Sequence, residues 1–117
     1  MTDNDISRLR GLLGLSRRGG MLTVGTESVC LSMAGKSPPC LVLLSAGASD
    51  ATKKKLHTKC AYYGVPIREI PLSPADLGHT VGKTTTPAVV AVTDEHMAKE
   101  LFRLCGTVPS QRKDDTE

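Results

Sequence analysis

CLVLLSAGASDATKKKLHTKCAYYGV, residues 40–65, is the stretch whose reading decides the fold. Residues 40–46 are apolar on both faces of an extended chain. That is the pattern of a central strand covered on two sides, not of a strand with one wet face. Ser49 or Asp50 follows, and either side chain can accept a hydrogen bond from an unpaired backbone N–H at a helix start. Leu56, Cys60 and Tyr63 then recur at helical spacing as a buried stripe, and Gly64 supplies the stop. A buried strand feeding such a helix, with no nucleophile–base pair, suits a domain that holds something better than one that transforms it.

Working toward the N-terminus, the spacing of Ile6, Leu9, Leu13 and Ser16 predicts a helix over residues 5–18. Arg17 and Arg18 fall in its last turn, at the negative end of the helix dipole, and Gly19 and Gly20 stop it. Residues 21–24 read as a short strand with Leu22 and Val24 on one side. Gly25 and Thr26 open a second helix with Val29, Cys30 and Met33 inward and Gly35 as its end.

Toward the C-terminus, residues 65–70 read as a less buried strand. Ser73-Pro74-Ala75-Asp76 is a helix start, with a serine cap, a proline in the first turn and an acid three residues after the cap; the helix ends near Gly82. Residues 88–92 form a second wholly apolar strand. Thr93 or Asp94 caps a last helix, with Met97, Ala98, Leu101, Phe102 and Cys105 inward and Gly106 as its stop. Helices alternating with four short strands, two of them apolar on both faces, predict an α/β fold, a three-layer α/β/α sandwich. One domain over residues 1–106 and a disordered polar tail over 107–117 complete the expected organisation.

With aromatic residues at 3% of the 117-residue chain, aliphatic side chains must fill the core. No apolar run approaches the roughly 20 residues of a membrane span, and the acidic N-terminus lacks the apolar centre of an export signal, so a cytoplasmic protein is expected. Cys30, Cys40, Cys60 and Cys105 are scattered in apolar surroundings without a CxxC pair, which reads as reduced core thiols, not a zinc site or disulfides. The net charge of +3 is uneven: residues 1–83 hold eleven basic residues against six acids, and residues 84–117 hold four against six. The excess points to a nucleic-acid face in the first two-thirds, though charge alone fits an ordinary solvated surface as well.

Dinucleotide and phosphate-loop motifs and the GxSxG elbow are absent. His57, His79 and His96 are isolated from cysteines and carboxylates at metal-ligand spacing, so no catalytic residue, metal or cofactor is expected. What remains are polar helix starts. Gly25-Thr26-Glu27-Ser28 offers backbone N–H groups and small hydroxyls that attract phosphate or bond base edges; for a single such start, plain capping is the better explanation. Lys55, Lys59 and Tyr62 share one helix flank, at spacing four and three; this could track a phosphate backbone, yet a lysine flank is usually just solvated.

Taken together, LLGLSRRGGMLTVGTESV, CLVLLSAGASDATKKKLHTKCAYYGVPI, LSPADLGHTVGK and AVVAVTDEHMAKEL resemble the YlxQ-type bacterial members of the ribosomal protein superfamily that contains the archaeal kink-turn binder. The likeness spans roughly residues 9–104. It implies an α/β/α sandwich with a four-stranded mixed sheet, and binding of structured RNA. In the kink-turn binders, polar residues of a Gly-x-Asn-Glu-x-x-Lys helix start read sheared G·A pairs, together with the loop before the fourth helix.

By position, the glycine is Gly25, the Asn place holds Glu27, the Glu place Ser28 and the Lys place Leu31. Met21 stands where a lysine commonly follows the glycine at Gly20, and Pro74 where a lysine is common beside the matching Leu77 and Gly78. Lost lysines remove phosphate neutralisation, and Glu27 opposes phosphate unless it accepts from a base amino group. The resemblance therefore implies RNA binding with an altered reading set.

The RNA-binding residues expected on this reading are Arg17, Arg18, Gly20, Gly25, Thr26, Glu27, Ser28, Leu31, Ser73, Leu77, Gly78 and Lys83. The expected role is non-catalytic, at ribosomal RNA or the ribosome, by a monomer with ribosomal proteins as possible neighbours and no membrane partner. The alternative is a protein-interaction module that reuses the scaffold, with Met21 and Leu31 as an apolar contact in place of the lysines.

Overall fold

The computed structural model describes residues 2–82 and 86–105. In chain order they form α1 (Asp3–Arg18), β1 (Leu22–Val24), α2 (Thr26–Ala34), β2 (Leu41–Ser45), α3 (Asp50–Tyr63), β3 (Ile67–Ile70), α4 (Pro74–Thr80), β4 (Val89–Val92) and α5 (Glu95–Cys105). The strands make one mixed sheet in the order β1-β4-β2-β3, antiparallel at β1/β4 and β4/β2 and parallel at β2/β3.

The strands read as apolar on both faces, β2 and β4, are the two central ones, and every residue in them is buried. Alternation divides their side chains between two cores. Leu41, Leu43, Val90 and Val92 face one, closed by Leu9 and Leu13 of α1, Leu77 of α4 and Leu101 of α5. Val42, Leu44, Val89 and Ala91 face the other, closed by Val29 and Met33 of α2 and Leu56 and Cys60 of α3. This is the expected three-layer sandwich, with α1, α4 and α5 on one face and α2 and α3 on the other.

Local signals set the helix ends. α1 starts at Asp3, earlier than residue 5, because Thr2 and Asp5 form a reciprocal capping box. The backbone N–H of Thr2 and then its hydroxyl hold the Asp5 carboxyl below its usual pKa. Ser49 caps α3, Ser73 caps α4 and Asp94 receives the Met97 N–H at 2.8 Å at the head of α5. Gly64 closes α3 in the left-handed region at φ 70°, where a Cβ is disfavoured.

Two side chains expected inward are half out. Tyr63 is 38% exposed and Phe102 is 39% exposed. Tyr63 lies in the last turn of α3, with its ring edge-on to that of Tyr62. Phe102 turns to the edge of the sheet, where the Arg68 guanidinium lies 4.5 Å from its ring centre. Cys60 and Cys105 are buried, and desolvation pushes both thiols up to about 11; Cys30 and Cys40 are half-buried. Among the described residues no helix is long and apolar enough to cross a membrane. Gly106 and the tail over 107–117 lie outside the described residues.

Candidate nucleic-acid interface

β1, β2 and β3 run parallel to one another, so the helices that follow them, α2, α3 and α4, all begin at the same end of the sheet. Gly25 makes the first of these turns. Its φ of 104° and ψ of 148° lie in a region that side-chain-bearing residues rarely enter. In that conformation its N–H reaches the Val89 carbonyl at 3.0 Å, ending β1, while its carbonyl accepts from Val29 at 2.9 Å, starting α2. No side chain caps α2. Its first turn therefore presents backbone N–H groups beside Thr26, half-buried, and Glu27 and Ser28, both exposed. Glu27 suits the positive end of the helix dipole, which is a structural reason for an acid there.

The adjoining turns are joined to this one through Ser45. The Ser45 N–H donates to Ala88 at 2.8 Å, next in sequence to the Val89 that holds Gly25. Its hydroxyl donates to the Leu72 carbonyl at 2.6 Å and accepts from the Gly47 N–H at 3.0 Å. Ala46 N–H reaches the Ile70 carbonyl at 3.0 Å. A Cβ on Gly47 would sit 2.9 Å from Cδ of Pro74, so the turn after β2 lies directly on the start of α4. Hydrogen bonds through Ser45 and the Ala88–Val89 backbone thus link the second-helix start to the turn before α4. Sequence reasoning passed over Ser45 and Gly47; the available signal was one hydroxyl closing an otherwise aliphatic strand.

The expected residues fall into groups. Gly25, Thr26, Glu27, Ser28 and Ser73 share this end of the sheet. Leu31 lies one turn beyond Glu27 on α2 and is 73% exposed. Leu77 is fully buried in the core and Gly78 is buried, so Leu77 seats α4 and leaves no side-chain surface for a ligand. Arg17, Arg18 and Gly20 are exposed but belong to the other end of β1, where Met21 accepts from Thr93 at 2.9 Å and Leu22 pairs with Val92. The extended path from Gly20 to Gly25 places the two groups on the order of 15 Å apart. Met21 is half-buried. Lys83 lies outside the described residues. Among those described, no group of His, Cys, Asp and Glu side chains is placed to hold a metal ion.

Residues 7–102 match the family model described as the ribosomal protein L7Ae/L30e/S12e/Gadd45 family. The chain is 40% identical over 93 residues to the RNA-binding protein YlxQ of Bacillus subtilis (strain 168), covering 80% of this chain and 90% of that protein. It is 30% identical over 104 residues to the RNA-binding protein YlxQ of Enterococcus faecium, covering 89% and 97%. A solved structure of a Bacillus halodurans protein of unknown function superposes with a TM-score of 0.76 at 33% identity, over 84% of this chain and 96% of that one.

Proposed function

We propose that this chain, which belongs to the ribosomal protein L7Ae/L30e/S12e/Gadd45 family, is a non-catalytic protein that binds structured RNA at the sheet end formed by residues 25–28 and 73–78. The observation that carries this reading is the 40% identity to the Bacillus subtilis RNA-binding protein YlxQ across 90% of that protein. The geometry supports it: the uncapped start of α2 offers N–H donors to phosphate or to base edges, and the Ser45 hydroxyl holds the approach to α4 at the same end of the sheet.

The RNA in this proposal is ribosomal, bound in the cytoplasm by a monomer serving translation, with ribosomal proteins as neighbours. Recognition is of the kink-turn kind, with a changed set of reading residues. Glu27 accepts from a base amino group, and Ser28 supplies a hydroxyl to the same bases. Arg17, Arg18 and Lys83 touch flanking phosphates, and Gly20 lets the chain approach the backbone closely. RNA of this kind is read through its shape, its unstacked bases and its loops. Titration with ribosomal RNA fragments at two salt concentrations is the test. Binding that weakens steeply with salt is expected; absence of binding even at low salt overturns the reading.

The 73% exposure of Leu31 favours a second reading, a protein-interaction module built on the same scaffold. With Met21 half-buried, the apolar contact in that reading rests on Leu31. Leu31→Lys separates the two. Tighter RNA binding supports the RNA site, and loss of a protein partner with no gain for RNA supports the module.

A further inference from the structure

The two flanks of α3 differ in their partners. On the β3 side, Lys53 Nζ lies 3.6 Å and His57 Nε2 3.8 Å from the two carboxylate oxygens of Glu69. On the other side of the buried Leu56–Cys60 stripe, Lys55, Lys59 and Tyr62 follow one another at spacing four and three. That second flank faces away from β3 and therefore toward α2. α2 lies beside α3 on the same face of the sheet, with Met33 Sδ 3.8 Å from Cys60 Sγ. The flank thus overlooks the seam between the two helices.

Among the described residues, Lys54, Lys55 and Lys59 have no ion pair, so their charge is free for a partner. Tyr62 is 81% exposed, and its ring stands edge-on to Tyr63, with centroids 4.9 Å apart at 89°. An aromatic ring held in place but left uncovered, in line with two unpaired lysines, is a surface suited to a contact. α2 and α3 begin at the same end of the sheet, so this flank starts where the proposed RNA site lies. Counting from Asp50, Lys55, Lys59 and Tyr62 stand about 8, 14 and 18 Å along the helix.

We propose that the Lys55–Lys59–Tyr62 flank of α3 is a second RNA contact, which holds the sugar-phosphate backbone of a helical stem leading away from the nucleotides at the start of α2. The proposal rests on the RNA-binding reading above. Charge complementarity selects the occupant: two lysines about one helical turn apart, with no acid on the same flank, match consecutive phosphates of one strand. Tyr62 lies against a ribose further along, where the 2′-hydroxyl meets its ring and hydroxyl. Lys53 and His57, engaged by Glu69, take no part.

The experiment uses the full chain and two synthetic RNAs that share one internal loop of tandem sheared G·A pairs. In one RNA both flanking stems run a full helical turn; in the other both are trimmed to a few pairs under stable loops. The affinity of each is measured across a salt series. Two phosphate contacts add about 2 to the salt slope, so wild-type protein loses about tenfold more affinity for the long-stem RNA than for the short-stem RNA between about 50 and 200 mM salt. Lys55→Gln with Lys59→Gln abolishes that excess and leaves short-stem binding unchanged. Ultraviolet crosslinking at Tyr62 occurs with the long-stem RNA only. Equal slopes for the two RNAs, or a double variant that keeps the wild-type excess, overturn the proposal while short-stem binding leaves the primary site standing. Failure of wild-type protein to bind either RNA overturns both.

Discussion

The Ser45 hydroxyl donates a 2.6 Å hydrogen bond to the carbonyl of Leu72, 27 residues later, in a position with no solvent access. The same oxygen accepts from the Gly47 N–H. One small side chain thereby ties the end of β2 and the turn after it to the approach of α4.

Ser45→Ala leaves the Leu72 carbonyl and the Gly47 N–H without this partner inside the protein. A loss of about 1–3 kcal/mol follows, the cost of an unmet buried polar group. Urea unfolding should show a lower midpoint with an unchanged slope, and RNA affinity should fall with it. An unchanged midpoint would show that the brace contributes nothing.

Gly25→Ala tests the backbone alone, because a Cβ there meets nothing within 4 Å. With φ at 104° and ψ at 148°, the strain is about 1–3 kcal/mol. Gly64, at φ 70° and ψ 30°, sits in the milder left-handed helical region, again with open space around it. Thermal unfolding should therefore show a larger drop for Gly25→Ala than for Gly64→Ala. The reverse order would contradict the assignment of Gly25 as the strand-to-helix hinge.

Replacing Glu27 by Asn, Ser28 by Glu and Leu31 by Lys together installs the helix start that the resemblance ascribes to kink-turn binders. Affinity for an RNA with tandem sheared G·A pairs should rise by tenfold or more, with the salt slope steeper by about 1 for the added lysine. Unchanged binding in a filter or calorimetric titration would place the RNA elsewhere on the molecule.

Burial makes the Cys60 and Cys105 thiols poor acids, pushed up to about 11 from an ordinary 9.0. In the unfolded chain they lose their protons at lower pH than in the folded one. Folding stability is thus full below about pH 9, falls as pH rises toward 11 and levels off above it. Denaturant midpoints taken across that window should decline, and Cys60→Ala should flatten the decline even though it lowers stability overall. At neutral pH, a thiol reagent should modify the half-buried Cys30 and Cys40 first, with Cys60 and Cys105 protected until the protein unfolds.

Much of the fold was legible in the chain because its signals are short-ranged. The apolar runs of β2 and β4 need cover on both faces whatever supplies it, and they became the two central strands. Ser49, Ser73 and Asp94 bond backbone N–H groups three residues on, so their roles depend only on neighbours along the chain. Tyr63 and Phe102 depart from the expected inward face for the opposite reason: helical spacing predicts a face, but exposure depends on how far the neighbouring layer extends over it.

The candidate site divides the same way. Gly25 and Ser73 were readable as helix starts. That Leu77 is spent in the core, and that Arg17 and Arg18 stand at the far end of β1 from Gly25, follows from strand pairing between residues some 70 apart in sequence. The sequence by itself determined the order of elements, the doubly covered strands, the helix starts and the family, since periodicity and capping act over a few residues. Only the tertiary structure decided that three helix starts share one end of the sheet, that Ser45 joins two of the turns, and which flank of α3 Glu69 occupies. Those outcomes depend on strand order and on contacts between distant residues, which local patterns do not specify.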